Sequence, residues 1–367
     1  LSSSNGLDLK HMTGDMSDTG ADRNGRAGLR IWQAVAKPAP SGAAETCFNR
    51  SLVRALCDRV TPATVAAILP GAGIDPAAVR QSQLLNRFRH VAGRRWLAAI
   101  ADAGIPVLAI KGMASGAWLY PQAQDRGISD ADLLVRGSDL GTVLDLLQDN
   151  GFAFADVPTR SRWGFVSEAS FQPLLSPGGA VNIDLHVAGD AAPFAEALST
   201  ADMLDAAQMA DGIGVPAPTH AFLVAASHAA RDLFTADAAK TVIDGLLMFR
   251  RPGLIDWSEV ACRSRQGRMT RPVSVMVALL GRLGADVSDA ARELPVAGVG
   301  GGTFERVVRD HCTMFPASSE AGTGERLLRQ WCLAAAPSVA LRRDLRRLTG
   351  LFRPHSGLPV RPDAGAR

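Results

Sequence analysis

The chain has 367 residues, 47% apolar and 20% charged, with a formal net charge of +3. That much apolar material supplies a core and excludes wholesale disorder, and the near-balance of charge excludes a general nucleic-acid-binding field. Five cysteines without a CxxC pair argue against a disulfide framework and a zinc cluster, and no apolar run reaches the ~18–20 residues of a membrane span. Reduced thiols and the lack of a signal-like segment point to a cytoplasmic protein.

In chain order, residues 1–44 read as a tag remnant, Leu1–Met12, followed by a flexible arm with one short helix around Ile31–Ala36. Residues 45–103 form an N-terminal helical region. Leu52, Leu56 and Val60 have helical spacing, and Thr61-Pro62 and Asp75-Pro76 are helix starts. From Asp75 onward, Val79, Leu84, Leu85, Phe88, Val91 and Ile100 make one apolar face, expected to be the packed one.

Residues 104–192 change period. Ile105–Ile110 reads as a buried strand, Gly112–Tyr120 as a helix stopped by Pro121, and Asp130–Arg136 as a strand. Leu140–Asp149 is an amphipathic helix and Phe152–Ala155 a strand. Arg162–Ser176 and Val181–Val187 are an antiparallel pair turned at Pro177-Gly178-Gly179. The fold class is therefore α+β, a small mixed sheet flanked by N-terminal and C-terminal helical regions.

Residues 193–353 are expected to be a helical domain, clearest at Thr219–Phe234 and Ala236–Phe249, and residues 354–367 a flexible tail. The glycines of Gly298–Gly302 are no phosphate loop, because Thr303 breaks GxGxxG and no Lys-Ser/Thr pair follows. Leu341–Phe352 is a basic amphipathic helix carrying Arg342, Arg343, Arg346 and Arg347. A docked helix with a solvated face is the first reading, and a contact with tRNA, other nucleic acid or an anionic membrane surface is the sharper alternative, not favoured.

The chemistry gathers in the middle block. Asp130 and Asp132 alternate along a strand, so both carboxylates face one side, where a hard divalent cation such as Mg²⁺ or Mn²⁺ relieves their repulsion. Lys111-Gly112 stands where a strand meets a helix N-terminus, a place that suits phosphate. Asp184, between apolar Ile183 and Leu185, adds a third carboxylate on another strand, as a two-metal phosphoryl-transfer site requires. His186 shares its face, either supporting the site or as a structural histidine. Arg126 and Ser129 are open between phosphate contact and a local role, for Arg126 an ion pair with Asp125 or Asp130. His228 reads as a hydrogen-bonded core residue.

These residues carry a resemblance. Lys111-Gly112, Tyr120-Pro121, Arg126, Ser129-Asp130, Asp132-Leu133-Leu134-Val135 and Ile183-Asp184-Leu185-His186 resemble a bacterial nucleotidyltransferase family of the DNA-polymerase-β-like superfamily. His228, Lys240, Asp244 and Ile255-Asp256-Trp257 extend the likeness. Met113 stands where the superfamily places Gly or Ser, and Val187 where Trp is common. The resemblance implies an Mg²⁺- or Mn²⁺-dependent enzyme that moves an NMP, AMP for preference, from an NTP such as ATP to an unknown acceptor: a small molecule, peptide or protein. In that scheme Asp130, Asp132 and Asp184 hold the metals and carry catalysis, and Lys111, Gly112, Arg126, Ser129, His186 and Lys240 serve the nucleotide. Lys240 with Asp244 is otherwise an ordinary helical pair. The alternatives are a nucleotide-binding regulatory or antitoxin-like protein without turnover, and a phosphohydrolase.

Overall fold

The computed structural model describes residues 20–37, 48–155, 169–190 and 198–314, and a few helical residues between 324 and 345. The structure is α+β. Four helices lead: α1 (Gly20–Ala36), α2 (Arg50–Arg59), α3 (Pro62–Ile68) and α4 (Pro76–Asp102). The sheet block follows with β1 (Val107–Ala109), α5 (Lys111–Trp118), β2 (Asp130–Val135), α6 (Leu140–Asp149), β3 (Ala153–Phe154), β4 (Leu174–Leu175) and β5 (Asn182–His186). Then come α7 (Thr200–Asp205), β6 (Gln208–Ala210), β7 (Ile213–Val215), α8 (Pro218–Arg231), α9 (Ala239–Phe249), α10 (Trp257–Gln266), α11 (Thr270–Arg282), α12 (Ser288–Glu293) and α13 (Gly302–Cys312).

The sheet has strand order β1-β2-β5-β4-β3, and only the β2–β5 pairing is parallel. Strand parity sorts β2 and β5 into two faces. Ala131, Leu133, Val135, Ile183 and Leu185 enter the sheet core, whereas Leu134 joins the core of the helical body. Asp130 and Asp132 therefore open toward the helical body, as does Asp184 with His186. Arg162–Glu168 of the expected strand pair, and the basic helix from Leu341 apart from helical Leu341 and Leu345, lie outside the described residues, as does residues 354–367.

Three expectations need correction. Residues 20–36, read as an arm with a short helix, are one helix of 17 residues that packs on α9 and α13. Ile31, Trp32 and Val35 are fully buried, and Trp32 Nε1 donates to His311 O at 2.8 Å. The buried stripe lies within the expected short helix; the polar, glycine-containing residues 20–30 hid its extension toward the N-terminus. A Cβ at Gly28 would lie 1.5 Å from the Cys312 carbonyl oxygen. Gly28→Ala is thus expected to force α1 off α13 and lower stability by about 1–3 kcal/mol, measured by urea unfolding; an unchanged midpoint would argue against this docking.

The second correction concerns α4. Leu84, Leu85, Phe88 and Val91 are 69%, 50%, 57% and 60% exposed. Ile100 of the expected face is fully buried, but in the earlier turns the polar side faces inward instead. Gln83 Nε2 donates to Asp125 Oδ1 at 3.0 Å, Asn86 Nδ2 to Gln124 O at 2.9 Å and Arg89 Nη1 to Ile128 O at 2.8 Å. The turn before β2 has carbonyls that need donors, and α4 supplies them. Third, the block after residue 193 is not all helix. β6 and β7 form a hairpin whose turn residues Asp211 and Gly212 have φ of 48° and 77°, the Asp-Gly turn chemistry of short hairpins. α2 and α3 share the core of the C-terminal helices, while α4 packs on α3 and covers the sheet.

Candidate active site

β2 and β5 run parallel with Asp132 in register with Asp184 and Leu134 with His186. Neighbouring strands thus bring two carboxylates side by side, and the imidazole follows two residues on. One ligand atom each from Asp132, Asp184 and His186 lies within 4.8 Å of the other two, a group that could hold a metal ion. Asp130 stands outside that tight group at the strand's start, where Ser129 Oγ donates to Asp130 Oδ1 at 2.9 Å. It lines the same cleft as Asp132 and Asp184, a space of about 290 Å³.

The electrostatics divide the three acids. Burial pushes Asp132 up, but the Lys111 ammonium at 2.6 Å and His186 Nε2 at 2.8 Å, both on Oδ1, hold it well below the usual carboxylate range. Among the described residues Asp184 has no such partner, and burial, then the charges of Asp132 and Asp130, push it up to about 7. Burial and Asp132 also raise Asp130. One acid is fixed as an anion, and two are left short of positive charge. Such a set is poised for cations from outside.

Lys111 begins α5 with φ of 52°, the left-handed region. This conformation carries its side chain onto Asp132 while the chain turns into the helix. The next residue must be small, since a Cβ on Gly112 would lie 2.9 Å from Ile128 Cγ2. Met113 is 1% exposed and packs in the sheet core. It does not line the cleft. Ser115, one turn into α5, does. His186 is 1% exposed and lies outside the cleft lining, with its Nε2 against Asp132 Oδ1 at 2.8 Å.

The opposite wall comes from α8 and α9, with His228, Arg231, Lys240, Thr241 and Asp244. Arg126 also reaches the cleft, but its partner is neither Asp125 nor Asp130. Its Nε and Nη2 donate to Asp244 Oδ1 and Oδ2 at 2.9 and 2.8 Å, and Tyr120 Oη donates to Asp244 Oδ1 at 2.8 Å. Asp244 therefore does not pair with Lys240. Lys240 makes no ion pair among the described residues; burial, then Arg126, lowers it, while Asp130 pulls it the other way. His228, read as core, lines the cleft with Nδ1 at 3.3 Å from Thr241 Oγ1.

Arg231 escaped the sequence reading, although it lies three residues after His228 and so on the same side of α8. No helix among the described residues is long and apolar enough to cross a membrane. In comparison with known proteins, the family described as "Uncharacterised nucleotidyltransferase" matches residues 32–284, more than half of the chain. No curated protein and no solved structure matches.

Proposed function

The chain belongs to this nucleotidyltransferase family, and from that premise we propose that it transfers an NMP, AMP for preference, from an NTP to a hydroxyl-bearing acceptor with Mg²⁺ or Mn²⁺. The observation that carries this reading is the in-register pair Asp132 and Asp184 on adjacent parallel strands, with Asp130 two residues earlier, facing a wall that offers lysine and arginine. The oxygen donors of Asp130, Asp132 and Asp184 fit hard divalent cations. Bound there, such ions supply neutralisation of the triphosphate and activation of the acceptor hydroxyl.

The chain's own residues then have distinct tasks. Lys111 and His186 keep Asp132 ionised and in one orientation. Asp184, in register beside Asp132 and lining the cleft, is the carboxylate placed to take the acceptor's proton. As the acceptor O–H bond breaks, its oxygen bonds to the α-phosphorus, and the bond from that phosphorus to the bridging oxygen breaks. Pyrophosphate leaves with that electron pair. Gly112 lets phosphate come close to the α5 backbone, and Lys240 faces the β/γ-phosphates from α9. A cytoplasmic setting, where NTPs are plentiful, goes with this reading.

Incubation with each labelled NTP and Mg²⁺ tests it, with pyrophosphate and modified protein or acceptor as products. Inorganic phosphate instead of pyrophosphate would turn the reading into a phosphohydrolase. Tight NTP binding without any product would turn it into a regulator. The Lys111–Asp132 ion pair favours that last reading in one respect, since the ammonium already neutralises a metal-ligating charge.

Lys240→Ala is expected to weaken NTP binding about tenfold, the scale of one charged hydrogen bond. Titration calorimetry with a non-hydrolysable ATP analogue checks it. Unchanged affinity would remove Lys240 from the triphosphate site.

A further inference from the structure

The cleft has two cationic ends. At one, Lys240 feels the charges of Arg126 and Asp130, and all three line the cleft. At the other, Arg231 stands on α8, and it is among the charges that act on Asp184 and on His186. The two ends cannot both serve one triphosphate if Asp184 takes the acceptor's proton, because the acceptor must then lie at the Asp184 end.

Arg231 is held in place from one side, with its side chain 28% exposed. Its Nη1 donates to Asp190 Oδ1 at 3.0 Å. Asp190 is 1% exposed, and its other oxygen accepts from Ser227 Oγ at 2.6 Å. Ser227 lies one helical turn before Arg231, so α8 holds both the arginine and the group that braces its partner. Asp232 Oδ1 is 3.8 Å from Nε, too far for a hydrogen bond. Nη2 makes no hydrogen bond among the described residues, although Arg231 lines the cleft. A guanidinium anchored on one side and open on the other is a fork for an oxyanion. Neutralising Asp190 alone would not require the fork to face the cleft.

We propose that Arg231 binds an anionic group of the acceptor, so that the acceptor is a hydroxylated carboxylate or phosphate with its anion close to the hydroxyl that is modified. This deepens the nucleotidyl-transfer reading and rests on it. Asp190 and Ser227 are positioning residues. Thr241 and neutral His228, which burial, then Arg231, holds down at about 3, add polar atoms to the same wall without adding charge.

The test uses the full chain saturated with a non-hydrolysable ATP analogue and Mg²⁺, which fills the Lys240 end. Glycerol 3-phosphate, glycerate and glycerol are then titrated in by calorimetry. At least one of the two anions is expected to bind, and their relative affinity tells phosphate from carboxylate; neutral glycerol is expected not to. Arg231→Gln is expected to weaken the bound anion about tenfold or more, the scale of a charged hydrogen bond, while leaving affinity for the ATP analogue within twofold. Arg231→Lys keeps a charge beside Asp190, guards against a folding defect, and is expected to fall in between. Absence of anion binding in the loaded parent, equal binding of glycerol, or unchanged binding in Arg231→Gln would each overturn the proposal. If the ATP analogue itself does not bind the parent, nucleotidyl transfer fails. The same anions on the unloaded chain then judge the Arg231 site alone, which requires binding that Arg231→Gln loses and Lys240→Ala keeps.

Discussion

Asp132→Asn is expected to lower nucleotidyl transfer by more than about 100-fold, beyond the loss common for partners that only support a metal ligand. Asp132 is the acid held ionised, and it joins Lys111 and His186 to Asp184. Asparagine keeps the volume and removes the charge. The stability effects of the two central acids should have opposite signs in the metal-free protein. Asp132 has a depressed pKa, so its charge stabilises the fold above the unfolded value of 3.8, and this is lost only in strong acid. Removing that charge leaves the Lys111 ammonium, which is 16% exposed, without its carboxylate. Asp132→Asn should therefore be less stable than the parent at neutral pH.

Asp184 behaves in the other way. Its pKa is raised from 3.8 to about 7, so the parent loses stability as pH rises between those values. Asp184→Asn should match the parent below about pH 4 and unfold a few degrees higher at pH 8 in EDTA, on the scale of ~1.4 kcal/mol per unit of displacement. It should still be inactive. Thermal unfolding at pH 5 and 8, alongside pyrophosphate release with Mg²⁺, separates the pair. Full turnover by Asp132→Asn would refute its role, and equal melting temperatures for the two variants at pH 8 would refute the division of charge.

The carboxylate row was legible because it is written in strand parity. Asp130, Asp132 and Asp184 interrupt apolar runs at alternate positions, and an acid there needs a reason. The helix and strand order of residues 104–192 followed for the same cause, since its apolar periods are short and clean. The helical wall was not legible. Arg231 and Asp190 are 41 residues apart, and nothing local marks them as a pair. Helical spacing pairs Asp244 with Lys240, yet its partners are Arg126 and Tyr120, 118 and 124 residues away. α4 misled for a related reason. Its apolar stripe has the period of a buried face, but the carbonyls of the turn before β2 claim the polar side. Periodicity predicts where a helix can bury apolar surface; it does not know that unsatisfied backbone waits on the other side.

The Arg126–Asp244 pair is expected to carry a large stability effect. Both side chains are nearly fully enclosed, at 6% and 5% exposure. Arg126 lies between the end of α5 and β2, and Asp244 lies on α9, so the pair ties the sheet block to the helical body across the floor of the cleft. Burial opposes the arginine's charge, but the Asp244 carboxylate outweighs it and holds Arg126 above its ordinary value. Tyr120, raised by burial and by Asp244, stays protonated and donates to the same carboxylate. Removing one partner strands a buried charge, at a cost of about 3–5 kcal/mol. Arg126→Ala and Asp244→Ala should each lose that much by urea denaturation. The double substitution Arg126→Met with Asp244→Leu should lose much less, because no charge is left unpaired and the volume is largely kept. A double variant as unstable as the sum of the singles would mean that the pair is not the unit. If the tie also fixes the distance between the acids and the α8–α9 wall, the double variant should fold well and yet bind the ATP analogue more weakly, since Lys240 then loses its fixed place opposite Asp130.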